Sequence, residues 1–79
     1  MNISAAATRE HELVQRVRQA LRLLNQRSIG QLDVHAEGDA VALSGELDTF
    51  YERQLAISCC RRVPGVRSVV DQIQIRDTN

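Results

Sequence analysis

The sequence has no lysine and no tryptophan, and its 79 residues include one proline, one phenylalanine, one tyrosine and two cysteines. Each scarcity excludes something. Without lysine there is no Gly-x-x-x-x-Gly-Lys phosphate loop. Two aromatics cannot build the stacking platform on which single-stranded nucleic acids are held. No apolar run approaches the ~20 residues that a membrane-crossing helix needs. The start, Met1-Asn2-Ile3-Ser4-Ala5-Ala6-Ala7-Thr8, has neither a basic segment nor an apolar one, so it is no secretory leader and the expected location is cytoplasmic. Cys59 and Cys60 are adjacent within a helical pattern, which sets their side chains about 100° apart. A bridge between them would be strained, and two reduced thiols are expected. Four zinc ligands at characteristic spacing are missing, because His11 and His35 stand alone, so no metal or other cofactor is expected.

What is present suits one small folded domain, residues 1–79, with an ordered core over about 8–76. Hydrophobic residues make up 43% and charged residues 25% of the chain, outside the range of disordered segments. A chain this short buries about 60–65% of its unfolded surface and leaves little room for an enclosed catalytic cavity. Ten arginines balance ten acidic residues, so no overall field draws nucleic acid. Arginine's planar fork grips phosphates and carboxylates, although an all-arginine set is also what the codon usage of a GC-rich genome produces.

From Thr8 to about Arg27, Leu13, Val17, Ala20, Leu21 and Leu24 recur at helical spacing. Thr8 is placed to cap this helix, Glu10 and Glu12 to occupy its first turn, and Gly30 to end it in a left-handed conformation. The period then changes to two. Leu32, Val34 and Ala36 alternate with Asp33, His35 and Glu37. After a turn at Glu37-Gly38-Asp39, Val41, Leu43 and Leu47 form a second alternating strand. Gly45 falls where an inward side chain is due, which signals a bulge or a close backbone approach. Thr49-Phe50-Tyr51-Glu52 matches a capping box at the start of a second helix with a stripe of Leu55, Ala56, Cys59 and Val63. Pro64-Gly65 closes it. Val69, Ile73 and Ile75 mark a third strand, and Asp77-Thr78-Asn79 a frayed end. The expected fold class is α+β, an αββαβ two-layer sandwich with two helices on one face of a three-stranded mixed sheet. The helical crossover makes the second and third strands parallel. Whether the third strand pairs with the first or the second stays open.

Three pieces of the sequence resemble the BON domain, a small bacterial module: Val17-Arg18-Gln19-Ala20-Leu21, Gly38-Asp39-Ala40-Val41-Ala42-Leu43-Ser44-Gly45-Glu46-Leu47 and Val63-Pro64-Gly65-Val66-Arg67-Ser68-Val69-Val70-Asp71-Gln72-Ile73. Together they cover roughly Glu12 to Arg76. The chain has Asp71 where that family usually has asparagine. The resemblance implies an αββαβ module of the kind found in cell-envelope proteins, often in tandem, with phospholipid or envelope assemblies as its partners.

Charge is uneven along the chain. Asp33, Glu37, Asp39, Glu46 and Asp48 lie between Gly30 and Phe50 without an arginine among them. Arg16, Arg18 and Arg22 on the first helix, with Arg61 and Arg62 at the end of the second, are the candidate contacts for an anionic headgroup or an acidic partner. The same residues also read as an ordinary solvated face. Cys59 is expected in the core with Cys60 beside it. His35, between Asp33 and Glu37, reads as an exposed histidine or a pH-sensitive one. Phe50 is expected to pack across the hairpin, with Phe50-Tyr51 as the one candidate aromatic contact. Neither a nucleophile elbow nor the Gly-x-x-Gly clamp of KH modules occurs, so no enzyme and no nucleic-acid binder is expected. The function read from these features is a non-catalytic module that binds anionic phospholipid surfaces peripherally. The alternative is a protein-interaction or assembly domain acting through self-association or an exposed sheet edge, as a monomer or weak homo-oligomer.

Overall fold

A computed structural model describes residues 5–76, with side chains from Thr8 onward; the expected frayed end, Asp77-Thr78-Asn79, lies outside the described residues. The elements are α1 (Ala5–Leu23), α2 (Arg27–Gly30), β1 (Asp33–Glu37), β2 (Ala40–Leu47), α3 (Phe50–Arg61) and β3 (Ser68–Ile75). The fold is α+β with an open mixed sheet in the order β1-β2-β3. β1 pairs antiparallel with β2 through a two-residue turn, Gly38-Asp39, and β3 pairs parallel with β2 from Ala40↔Ser68 to Leu47↔Ile75. The pairing left open by the sequence is thereby settled: β2 is central.

Alternation along the strands places Val34, Ala36, Val41, Leu43 and Leu47 on one buried face, under α1 and α3. Asp33, His35 and Glu37 point away from it into solvent. α1 contributes Leu13, Val17 and Leu21 to this core. Each fully buried Leu, Ile or Val adds about 1.5–3 kcal/mol of transfer free energy.

Three local expectations need correction. α1 begins at Ala5, so Thr8 lies inside the helix rather than capping it, and no acidic residue sits in the first turn. Glu10 instead accepts a hydrogen bond from the Gly38 amide at 2.5 Å, tying the hairpin turn to α1. α1 also ends earlier than expected. Asn25 takes the left-handed conformation (φ 58°), while Gly30 does not and closes a further single turn, α2. Asparagine is one of the few side-chain-bearing residues that tolerate that region. The extra turn drives Ile29 into the core, where it is fully buried. Local chemistry does set the start of α3. Thr49 accepts from the Glu52 amide at 3.1 Å and Glu52 accepts from the Thr49 amide at 3.3 Å, the reciprocal capping box.

Gly45 stands in an unbroken β2–β3 ladder opposite Ile73, so it marks a close approach and not a bulge. Its φ is +132°, and a Cβ there would lie 3.1 Å from Leu32 Cδ2. Gly45→Ala is expected to cost about 1–3 kcal/mol from backbone strain and overpacking together. Urea unfolding measures it, and an unchanged midpoint would mean that the β2 backbone relaxes at Gly45 as well as Leu32 giving way.

Candidate functional site

α1 and α3 lie side by side over the sheet. Arg16 Nη1 donates to the Pro64 carbonyl at 3.2 Å, near the end of α3, whereas Leu23 and Leu24 at the end of α1 share a lining with Tyr51 at the start of α3. The two helices therefore run antiparallel and leave a groove of about 720 Å³ between them. Ala20, Leu24, Leu55, Cys59 and Val63 form its apolar floor. Arg16 and Arg62 stand at one end of the rim. At the other end Leu23 is 78% and Tyr51 72% exposed. Scattered apolar side chains are ordinary on a small protein, but two large ones converging on an open apolar groove are not.

The groove divides the five arginines singled out from the sequence. Arg16 and Arg62 line it. Arg18 follows Arg16 by two residues, about 200° of helix rotation, and Arg22 follows Arg18 by one turn, so both project from the flank of α1 away from α3. Arg61 is turned about 100° from Arg62 and is exposed outside the groove. Among the described residues, Arg18, Arg22, Arg61 and Arg62 form no ion pair. The pairs found are Arg53–Asp71 at 2.6 Å, Arg76–Glu46 at 3.2 Å and Arg76–Asp48 at 3.6 Å.

Asp71 sits on the helix-facing side of the edge strand opposite Leu43. Its carboxylate is held by Arg53 and accepts the Ile73 amide at 3.0 Å. The Arg76 amide donates to the Leu47 carbonyl across the ladder. By strand alternation the Val70, Gln72 and Gln74 amides also face β2, and the Ile73 amide faces outward. Asp71 thus occupies one of the outward donors of the β3 edge, an inward-pointing charge of the kind that blunts open edges.

The cysteines are placed in the opposite order from that expected. Cys60 is fully buried and Cys59 lines the groove half-buried. The α3 stripe that meets the sheet is Ala56, Ile57 and Cys60, while Leu55 and Cys59 turn toward α1. Burial pushes the Cys60 thiol up to about 12, with a smaller contribution from Cys59 beside it. Burial also raises Cys59, partly offset by the positive charge of Arg62. Both shifts disfavour the nucleophilic thiolate. Among the described residues no group of histidine, cysteine and acidic side chains could hold a metal ion, and no helix is long and apolar enough to cross a membrane.

Phe50 does not pack across the hairpin. It is 69% exposed, with the Arg53 guanidinium 5.8 Å from its ring centre. Position explains this: residue 50 opens α3 on the side turned to β3, beyond the reach of β1. Leu23 was missed because it lies off the Leu13–Val17–Leu21 stripe. An apolar residue off the main stripe was the available signal for a second contact surface.

A protein-family model described as the BON domain matches residues 9–77. No curated protein matches the chain.

Proposed function

The chain belongs to the BON domain family, and from that premise we propose that it is a non-catalytic interaction module that binds anionic phospholipid surfaces peripherally, through the α1–α3 groove. The observation that carries the reading is the pairing of an apolar floor with a cationic rim. Leu23 and Tyr51 offer exposed apolar surface to the acyl boundary, and rings with a polar tip suit that depth. Arg16 and Arg62 stand where phosphates would lie, each charge near an anionic surface contributing about 1 kcal/mol. The two thiols, Cys59 in the groove and Cys60 buried behind it, are both shifted away from the nucleophilic thiolate, which favours a binding role over thiol catalysis.

The competing reading, strand addition at the sheet edge, is disfavoured at β3 because the outward Ile73 amide is already taken by Asp71.

Amide spectra recorded while vesicles are added test the proposal. With phosphatidylglycerol vesicles, signals around Arg16, Ala20, Leu23, Leu55 and Arg62 should broaden, and added salt should restore them. With phosphatidylcholine vesicles the spectrum should stay sharp. An unchanged spectrum with both lipids would overturn the proposal and direct attention to protein partners or self-association.

A further inference from the structure

Beside the groove, four charged side chains meet without pairing. Arg9, Glu12, Leu13 and Arg16 follow one another at i, i+3, i+4 and i+7 along α1. With Gly38, Asp39 and Gly65 they line a second cavity of about 600 Å³. Among the described residues, the side chains of Arg9, Glu12 and Asp39 make no hydrogen bond or ion pair, and that of Arg16 donates to the Pro64 carbonyl. The site is built from more than one element. Glu10 ties the turn that carries Asp39 to α1. Gly65, at φ +99°, lets the loop approach so closely that a Cβ would lie 3.3 Å from Arg16 Nη1.

The charge set excludes the simplest ligands. A lone phosphate would meet two guanidinium groups and also two carboxylates, and a lone amine would meet the reverse. A molecule that carries both a phosphate and an ammonium group satisfies all four. Arg16 also lines the groove, so the two hollows adjoin at that side chain. They lie end to end along α1, a polar hollow from Arg9 to Arg16 and an apolar one from Arg16 to Leu23, with the Arg16 side chain, bonded to the Pro64 carbonyl, standing between them. The pair therefore matches the two ends of an amphiphile that passes over Arg16.

We propose that the two hollows together seat one phospholipid with a phosphoethanolamine headgroup. Arg9 and Arg16 take the phosphate, Glu12 and Asp39 take the ammonium, and an acyl chain leaves along the apolar floor. The proposal rests on the membrane reading above for the source of the ligand. Seven residues from Arg16 to Leu23 span about 10 Å of helix, short of the ~15 Å half-thickness of a hydrocarbon core, so the chain's far end stays in the bilayer. Arg62, at the rim of the same groove, meets the anionic lipids around it. Anionic charge thus recruits the domain, and the polar cavity selects among headgroups.

Soluble headgroups separate this proposal from the membrane reading. Glycerophosphoethanolamine should shift the Glu12, Gly38, Asp39 and Gly65 amides in a dose-dependent way, and inorganic phosphate should shift them far less. The double variant Glu12→Gln, Asp39→Asn, exposed at both positions, should weaken that response at least about tenfold, as expected for lost charge-assisted hydrogen bonds. Equal shifts from inorganic phosphate would overturn the proposal, as would silence toward glycerophosphoethanolamine. If that silence accompanies broadening by phosphatidylglycerol vesicles, the headgroup site fails while the membrane reading stands. If the vesicles are silent as well, both fail.

Discussion

Reversing Arg16 and Arg62 to glutamate together is expected to weaken binding to phosphatidylglycerol vesicles by roughly a thousandfold at low salt. Each reversal changes the local charge by two units, and at about 1 kcal/mol per charge near the surface the pair amounts to about 4 kcal/mol. Physiological salt reduces the figure, because screening acts over about 8 Å. The matched variant, Arg18→Glu with Arg22→Glu, changes net charge by the same amount on the opposite flank of α1. A helix with its side chains is about 10–12 Å across, more than one screening length at physiological salt, so in that buffer this second pair should cost about tenfold or less and clearly less than the first. The comparison is internal. Equal losses would mean that the membrane senses net charge and that the groove has no part in orientation. Both pairs are exposed, and among the described residues the one side-chain bond lost is that from Arg16 to the Pro64 carbonyl. Circular dichroism should therefore show both variants folded, and a co-sedimentation series over vesicle concentration gives the two affinities.

Comparing sequence with structure shows where local chemistry stops being informative. The hairpin was legible because burial on one face imposes a period of two, and the capping box because its two hydrogen bonds lie within four residues. Val34, Ala36, Val41 and Leu43 are buried as that alternation requires. What eluded the sequence depends on neighbours distant along the chain. α3 touches both the sheet and α1, so its apolar residues spread over two contact faces, and a single stripe drawn through Leu55, Ala56, Cys59 and Val63 mixes the two. That 100° of rotation exchanges the two cysteines. Gly30 looked like the end of the first helix because glycine is the commonest left-handed residue, yet Asn25 serves there and frees Ile29 to enter the core. Of the five arginines, the sequence could show that they share two helices but not which of them face each other. Arg16 and Arg62 come together only because α1 and α3 run antiparallel. The groove floor, made from one helix and the flank of another, has no periodicity of its own.

The exchange of the two cysteines leads to the second large effect, in alkali. Cys60 is fully buried and its thiol is pushed up to about 12 from 9.0. In the unfolded chain the thiol loses its proton from pH 9.0 upward, while in the folded domain it keeps the proton until about 12. The folded state therefore binds the proton more tightly. The stability this contributes is fully present below pH 9 and declines as pH rises from there to about 12. The slope is about 1.4 kcal/mol per pH unit, so roughly 2 kcal/mol should be gone by about pH 10.5. That is a large share of the ~4–12 kcal/mol expected for a domain of this size. Cys60→Ala separates this effect from the titration of other groups. At about pH 7.5 the variant should be less stable than the parent by about 1–2 kcal/mol, because a buried sulfur leaves a small cavity. It should then lose less on going to about pH 10.5, so that the gap closes or inverts. Cys59→Ala, made at the half-buried position beside Arg62, should leave most of the parent's slope in place, since the positive charge there offsets part of the burial. Urea unfolding of the three proteins at the two pH values gives the answer. Parallel losses for the parent and Cys60→Ala would mean that the buried thiol does not govern the alkaline limit.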